Sequence, residues 1–181
     1  AWPLAGRTAA NTRSAPQHSP VTPEDGPVWS VADDAAGGPV VARGHVFQGT
    51  DDGALRAVGA RTGTRAWTAD VGTEPTVTPA VEYGTVYAAS GDTVAADDAD
   101  DGTRSWAVTV AEPVVGAPVA AEDTVYVASE GAVSAFAGKS GTRRWSHDVA
   151  CAGGVAVADA GVVAATAEGS VVAVDSEEGE D

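Results

Sequence analysis

The pentapeptide Gly-Thr-Arg-x-Trp recurs in this 181-residue chain at Gly63 to Trp67, Gly102 to Trp106 and Gly141 to Trp145, which sets three of its five tryptophans at intervals of 39 residues. A fixed period of this size excludes most folds at once. Each unit must be a supersecondary structure that buries its apolar face on a copy of itself, and a unit near 40 residues suits paired helices or the four strands of a propeller blade. Helices need apolar residues at 3.6 spacing over ten or more positions, and the Gly, Pro and Asp punctuation here never allows such a run. All-β radial repetition is left.

The second unit shows the pattern most plainly. "TVTPAV" (76 to 81), "TVYAAS" (85 to 90), "TVAAD" (93 to 97) and "TRSWAVTV" (103 to 110) are short and rich in Val and Thr, and they are separated by "EYG", "GD" and "DADDG". That reads as four strands joined by turns. The first unit supplies "PVVAR", "HVFQG", "ALRAV" and "TRAWTADV"; the third, "APVAA", "TVYVAS", "AVSAF" and "TRRWSHDV"; the fourth, only "GVAVAD", "VVAATA" and "SVVAVD" before "SEEGED". The expected fold class is an all-β propeller of four-stranded blades over 28 to 181, behind a proline-rich extended lead over 1 to 27. Composition agrees: Val and Ala supply nearly all the apolar mass, with no Ile and only Leu4 and Leu55 as leucines. Val suits strands, and Ala suits closely stacked sheets.

The motif itself reads as architecture. Gly63, Gly102 and Gly141 stand where a tight hairpin between third and fourth strands needs positive φ. Thr62, Asp98 and Asp101 are placed to hold backbone N–H groups inside those turns. Trp67, Trp106 and Trp145 fall on the outermost strand, from which an indole reaches the neighbouring blade and finds an acceptor for its N–H. Trp29, in "PVWSV" (27 to 31), is the candidate for the missing fourth lock. Counted as a strand, that segment brings the total to 16. Two arrangements stay open: Trp29 completes the last blade and closes a four-bladed ring, or the chain is the front arc of a propeller of seven or eight blades.

The repeats resemble the quinoprotein-like family, whose blades follow Ala-x-Asp-x-x-Thr-Gly-x-x-x-Trp and are named for pyrroloquinoline quinone (PQQ). "ADDADDGTRSW" (96 to 106) matches at Ala96, Asp98, Gly102 and Trp106; "AVGARTGTRAW" (57 to 67) at Ala57, Thr62, Gly63 and Trp67; "AFAGKSGTRRW" (135 to 145) at Ala135, Gly141 and Trp145. The opening "WPLAGRTAANTRSAP" (2 to 16) is similar to the lead that precedes the first blade in these propellers. Members include sugar and alcohol dehydrogenases and outer-membrane assembly lipoproteins, so the resemblance implies a fold more firmly than an activity. The dehydrogenases hold quinone and calcium on the axis, many with a vicinal cysteine pair. Cys151 is the single cysteine, and no residue here matches a catalytic motif of that group. No catalytic, cofactor-binding or metal residue is carried over, and no cofactor is expected.

Other candidate chemistry is weak. "DDADDG" (97 to 102) is similar to a calcium loop, but Ala99 sits at the third ligand position and Val108 at the twelfth, so a solvated turn is the better reading. His147 and Cys151 read as a surface imidazole and a packed thiol, for want of an orienting third group. His18 and His45 lack metal spacing. Phe47, Tyr87 and Tyr126 hold equivalent second-strand places and are expected in the core.

Twenty-six acidic residues against ten basic ones give a formal charge of −16. A field of that sign repels nucleic acid and anionic lipid. Nine Arg with one Lys, excess carboxylate and Ala/Val aliphatics resemble proteins of salt-loving archaea, which implies a high-salt setting. No apolar run approaches the roughly 18 residues of a membrane span. Because the sequence opens at Ala1 and has no Met, an upstream segment, a signal peptide or an initiator Met is expected to have been removed, and any membrane attachment would come from an upstream anchor. Two functions follow: a non-catalytic scaffold that binds protein outside the cytoplasm, secreted or anchored at the cell surface, and, as the alternative, a fragment of a PQQ-dependent sugar or alcohol dehydrogenase.

Overall fold

A computed structural model describes residues 27–32, 34–158 and 161–175. The expected lead falls almost wholly outside the described residues, as do His18 and "SEEGED". Fifteen strands form four antiparallel sheets in chain order. Blade 1 comprises β1 (Ala35–Ala42), β2 (His45–Thr50), β3 (Ala54–Gly59) and β4 (Arg65–Asp70). Blade 2 comprises β5 (Ala80–Glu82), β6 (Thr85–Ser90), β7 (Thr93–Asp98) and β8 (Arg104–Thr109). Blade 3 comprises β9 (Val119–Ala121), β10 (Thr124–Ala128), β11 (Ala132–Ala137) and β12 (Arg143–Asp148). Blade 4 has β13 (Cys151–Ala158), β14 (Gly161–Thr166) and β15 (Val171–Val174).

The first strand of each blade is interrupted at a common place. Thr76 bridges Ser90 and Val77 donates to the Ala89 carbonyl, but Thr78 leaves the ladder to accept the Gly38 N–H through its hydroxyl at 2.6 Å, and Pro79 has no N–H to donate. Regular pairing resumes only at Ala80, so "TVTPAV" yields a strand of three residues. Pro118 has the same effect on "APVAA". In β1 and β13 the interruption survives as a register shift between Ala36 and Val40 and between Cys151 and Val155.

Three apolar cores join the blades, one per seam. Phe47, Leu55 and Trp67 of blade 1 meet Val81, Val86 and Ala95 of blade 2. Val94, Ala96 and Trp106 meet Val125 and Phe136. Val133, Ala135 and Trp145 meet Val155 and Val162. A closed ring of four blades needs a fourth seam, and among the described residues no apolar core joins blade 4 to blade 1. The expected sixteenth strand is likewise corrected: residues 27–32 have no strand structure, and among the described residues β15 pairs only with β14. Trp29 instead docks on blade 1, where its Nε1 donates to the Ala60 carbonyl at 3.1 Å.

Candidate functional site

The recurring site is the joint between blades. Trp67 Nε1 donates to the Ala99 carbonyl at 3.3 Å and Trp106 Nε1 to the Gly138 carbonyl at 2.7 Å. Trp29 Nε1 makes the equivalent bond to the Ala60 carbonyl at 3.1 Å, although its segment is not a strand. Each acceptor lies three residues after the motif alanine, in the turn of the following blade. Its own N–H is held by that blade's first hairpin: Ala60 to Gly44, Ala99 to Gly84 and Gly138 to Asp123. The indole therefore docks on a peptide group already fixed by its own sheet. Sequence reasoning missed these acceptors because a main-chain carbonyl leaves no side-chain signature.

The glycines are constrained twice. Gly63, Gly102 and Gly141 have φ of 67°, 76° and 70°, the left-handed region that side chains avoid. A Cβ at Gly102 would lie 2.7 Å from Cδ2 of Trp67, one at Gly141 2.7 Å from Cδ2 of Trp106, and one at Gly63 2.8 Å from Cδ2 of Trp29. Each ring lies flat on the turn of the next blade. Within blades 1, 2 and 3, Phe47, Tyr87 and Tyr126 face Trp67, Trp106 and Trp145 at ring-centroid distances of 5.8, 6.0 and 5.9 Å. Tyr87 also donates its hydroxyl to the Gly138 carbonyl at 3.4 Å. Within the turns, Asp98 accepts the Asp100 N–H at 2.8 Å, Asp101 the Thr103 N–H at 2.8 Å and Thr62 the Thr64 N–H at 3.3 Å.

The acidic run 97 to 102 is not simply a solvated turn. Asp97 is completely buried and forms an ion pair with Arg104, whose guanidinium also donates to the Asp70 carbonyl of blade 1 at 2.6 Å. Burial pushes the Asp97 carboxyl above the ordinary aspartate range, and its hydrogen bond and charge contact with Arg104 pull it back. Asp100 reaches Arg43 of blade 1 at 2.6 Å. Glu82 of blade 2 accepts the N–H groups of Glu122 and Asp123 of blade 3 at 3.0 and 3.3 Å; burial raises its pKa, and those bonds oppose the rise. These carboxylates hold neighbouring blades together rather than converging on a ligand.

The remaining candidates stay apart. His147 lies within β12 and stacks on Trp145 at 5.2 Å. Cys151 opens β13, is buried, and donates its thiol to the Val149 carbonyl at 3.3 Å; burial raises its pKa, so the thiolate is disfavoured. His45 stacks on Phe47 at 6.0 Å. Among the described residues no three His, Cys, Asp or Glu side chains are grouped to hold a metal ion. The inner strands β1, β5, β9 and β13 carry one carboxylate, Glu82, and one thiol, Cys151, both engaged as above. This donor set does not fit a calcium ion with a stacked quinone. Open clefts among the described residues include one of about 600 Å³ between blades 2 and 3, lined by Phe136, Ser134, Ser146, Arg143 and Glu112, and one of about 650 Å³ around Glu74, Ser90, Asp92 and Pro113. Neither pairs a nucleophile with a base.

Antiparallel blades built on a four-strand plan, with Trp67 and Trp106 each docked on a turn glycine of the blade that follows, define a β-propeller fold of PQQ-like repeats. The model of the family described as "Outer membrane protein assembly factor BamB" matches residues 17–130 and 51–181, and the chain belongs to that family. The structure of BamB from Moraxella catarrhalis superposes with a TM-score of 0.72 at 22% identity, covering 84% of this chain and 50% of that one. Quinohemoprotein alcohol dehydrogenase ADHIIG from Pseudomonas putida HK5 gives 0.63 at 21% identity, over 82% of this chain and 26% of that one. The computationally designed Ika4 protein gives 0.70 at 15% identity, over 81% and 93%. The chain thus spans about half the length of that BamB and about a quarter of the dehydrogenase. No curated protein matches the sequence.

Proposed function

We infer that this chain is a non-catalytic PQQ-like propeller that binds protein partners or scaffolds an assembly outside the cytoplasm, in a high-salt setting. The observation that carries this reading is the use made of the buried acids: Asp97 serves Arg104, and partly buried Glu82 serves two backbone N–H groups. Membership of a family described by an assembly factor supports protein as the partner class. Nucleic acid and anionic lipid are disfavoured by the charge of −16. In the same reading 1–27 is an extended lead to a propeller over 28–181, and Trp29, Trp67, Trp106 and Trp145, with Gly63, Gly102 and Gly141, are blade locks.

The likeness to quinohemoprotein alcohol dehydrogenase keeps a dehydrogenase fragment as the second reading. Titration with PQQ and calcium, followed by absorbance and thermal shift, separates the two. No saturable change is expected. Saturable binding of both, with dye-linked oxidation of a sugar or alcohol, establishes the dehydrogenase instead.

The high-salt element has its own test. Screening of carboxylate repulsion shrinks the Debye length from about 10 Å at 0.1 M to about 3 Å at 1 M. The thermal midpoint is therefore expected to rise steadily from 0.1 M to 2 M KCl. A midpoint independent of salt removes the halophilic reading.

A further inference from the structure

The cleft of about 600 Å³ between blades 2 and 3 contains a cation whose counterpart one seam earlier is fully engaged. At the seam of blades 1 and 2, the Arg104 guanidinium takes the carboxylate of Asp97 and the Asp70 carbonyl of blade 1, and so bridges the two sheets. Arg143 holds the same place in blade 3, opposite Phe136 as Arg104 is opposite Asp97. Phe136 offers a guanidinium no charge. Among the described residues the Arg143 side chain makes no ion pair and no hydrogen bond, and it stands exposed on the cleft wall.

The cleft is polarised along its length. On one face of β11 and β12 the facing pairs are Phe136 with Arg143, Ser134 with Ser146 and Ala132 with Asp148, the register shift after Ala135 bringing Arg143 onto that face. Arg143 thus marks one end and Asp148 the other, four residues of β11 apart, or roughly 13 Å at about 3.3 Å per residue. Glu112, from the linker between the blades, joins the acidic end: its Cγ lies 3.1 Å from where a Cβ on Gly131, beside Ala132, would stand. Both carboxylates are exposed, and among the described residues neither is in an ion pair. Midway, the Ser134 and Ser146 hydroxyls share one hydrogen bond at 3.0 Å, which leaves the O–H of one of them for a ligand.

We propose that this cleft binds a short peptide with free termini, about three or four residues long, its terminal carboxylate on Arg143 and its terminal ammonium at Glu112 and Asp148. An extended chain of that length sets its two charges at the spacing the cleft presents, and a space of about 600 Å³ is of small-ligand size. A dipolar ligand fits better than a simple ion. A lone anion meets Glu112 and Asp148, and a lone cation meets Arg143. The seat for the carboxylate has a precedent in the same chain, where Asp97 lies on Arg104. This inference concerns a small ligand and does not rest on the scaffold reading.

Tetra-alanine with free termini is the probe, added to the isotope-labelled full chain in about 1 M KCl, where a Debye length of about 3 Å leaves only direct contacts effective. Saturable shifts are expected at the amides of Ser134, Arg143 and Ser146, and none at Ala95, Arg104 and Ala107, the same positions in blade 2. Failure to saturate, or equal shifts in both blades, overturns the proposal. N-acetylation and C-amidation should each weaken binding at least about fivefold, as should shortening to dialanine, which cannot span the two ends. A capped or shortened peptide that binds as tightly as tetra-alanine is equally fatal to it. Arg143→Gln, at an exposed position, should keep the thermal midpoint and make the free acid and the amide bind alike. Glu112→Gln combined with Asp148→Asn should in the same way erase the effect of acetylation. Discrimination between free and capped peptide that survives these variants means that the charges of the cleft do not hold the termini, and the proposal falls.

Discussion

Replacing Trp106 by alanine is expected to lower the unfolding free energy by about 3 to 5 kcal/mol, the range for losing a large buried aromatic. The indole is 92% removed from solvent, packs against Tyr87 and Phe136, and donates to the Gly138 carbonyl at 2.7 Å. Truncation removes those contacts and leaves a void at a seam whose walls are two separate sheets. Urea titration at fixed high salt measures the loss, and a loss below about 1 kcal/mol contradicts the assignment of this residue as a blade lock. Gly141→Ala probes the same contact from the other side, combining unfavourable φ with a Cβ 2.7 Å from the ring. Its penalty should shrink by about 1 kcal/mol or more in the Trp106→Ala background, where only the backbone strain remains.

The second large effect belongs to Arg104. Removing one partner of a buried ion pair costs about 3 to 5 kcal/mol, and the one-third exposure of the Arg104 side chain reduces the expectation for Arg104→Ala to about 2 to 3 kcal/mol at pH 8. The loss is pH-dependent with a definite sign. Asp97 has a folded-state pKa above its unfolded value, so its contribution to stability is greatest below the unfolded pKa and falls as pH rises through the folded one. Deleting Arg104 removes the groups that pulled this pKa down, which widens the window. The deficit of the variant relative to the parent should therefore be largest at pH 8 and shrink towards pH 4 as Asp97 takes up a proton. A deficit that stays constant between those values means that the charge of Asp97 is not what Arg104 offsets.

The repeat period made blades and seams legible from sequence, because a conserved spacing of side chains forces a conserved geometry. The strands "TVYAAS" and "AVSAF" fall where expected, at β6 and β11, and Phe47, Tyr87 and Tyr126 lie in the core. Closure was not legible. Whether Trp29 meets the fourth blade of its own chain depends on the angle between successive sheets, a quantity set by side-chain volume at three seams and not by any one motif. Asp97 was missed for a local reason. At its repeat position blade 1 has Val58 and blade 3 has Phe136, both apolar, and that comparison is the signal that marks position 97 as an inward one. In the sequence the residue was hidden inside a run of carboxylates that otherwise face water.

The lock between Trp67 and Gly102 has a direction: in blades 1 and 2 the outer strand offers a hook, Trp67 or Trp106, and each hook engages the eye at the last turn of the blade that follows in the chain. Both halves are written into the same 39 residues. Duplication or loss of one such unit leaves every hook facing an eye, so the number of blades is free to change without any new surface being invented. The same polarity makes growth at the ribosome vectorial. A blade that has just emerged holds out its tryptophan until the next unit arrives, and the seam that protects it is finished by its successor rather than by itself.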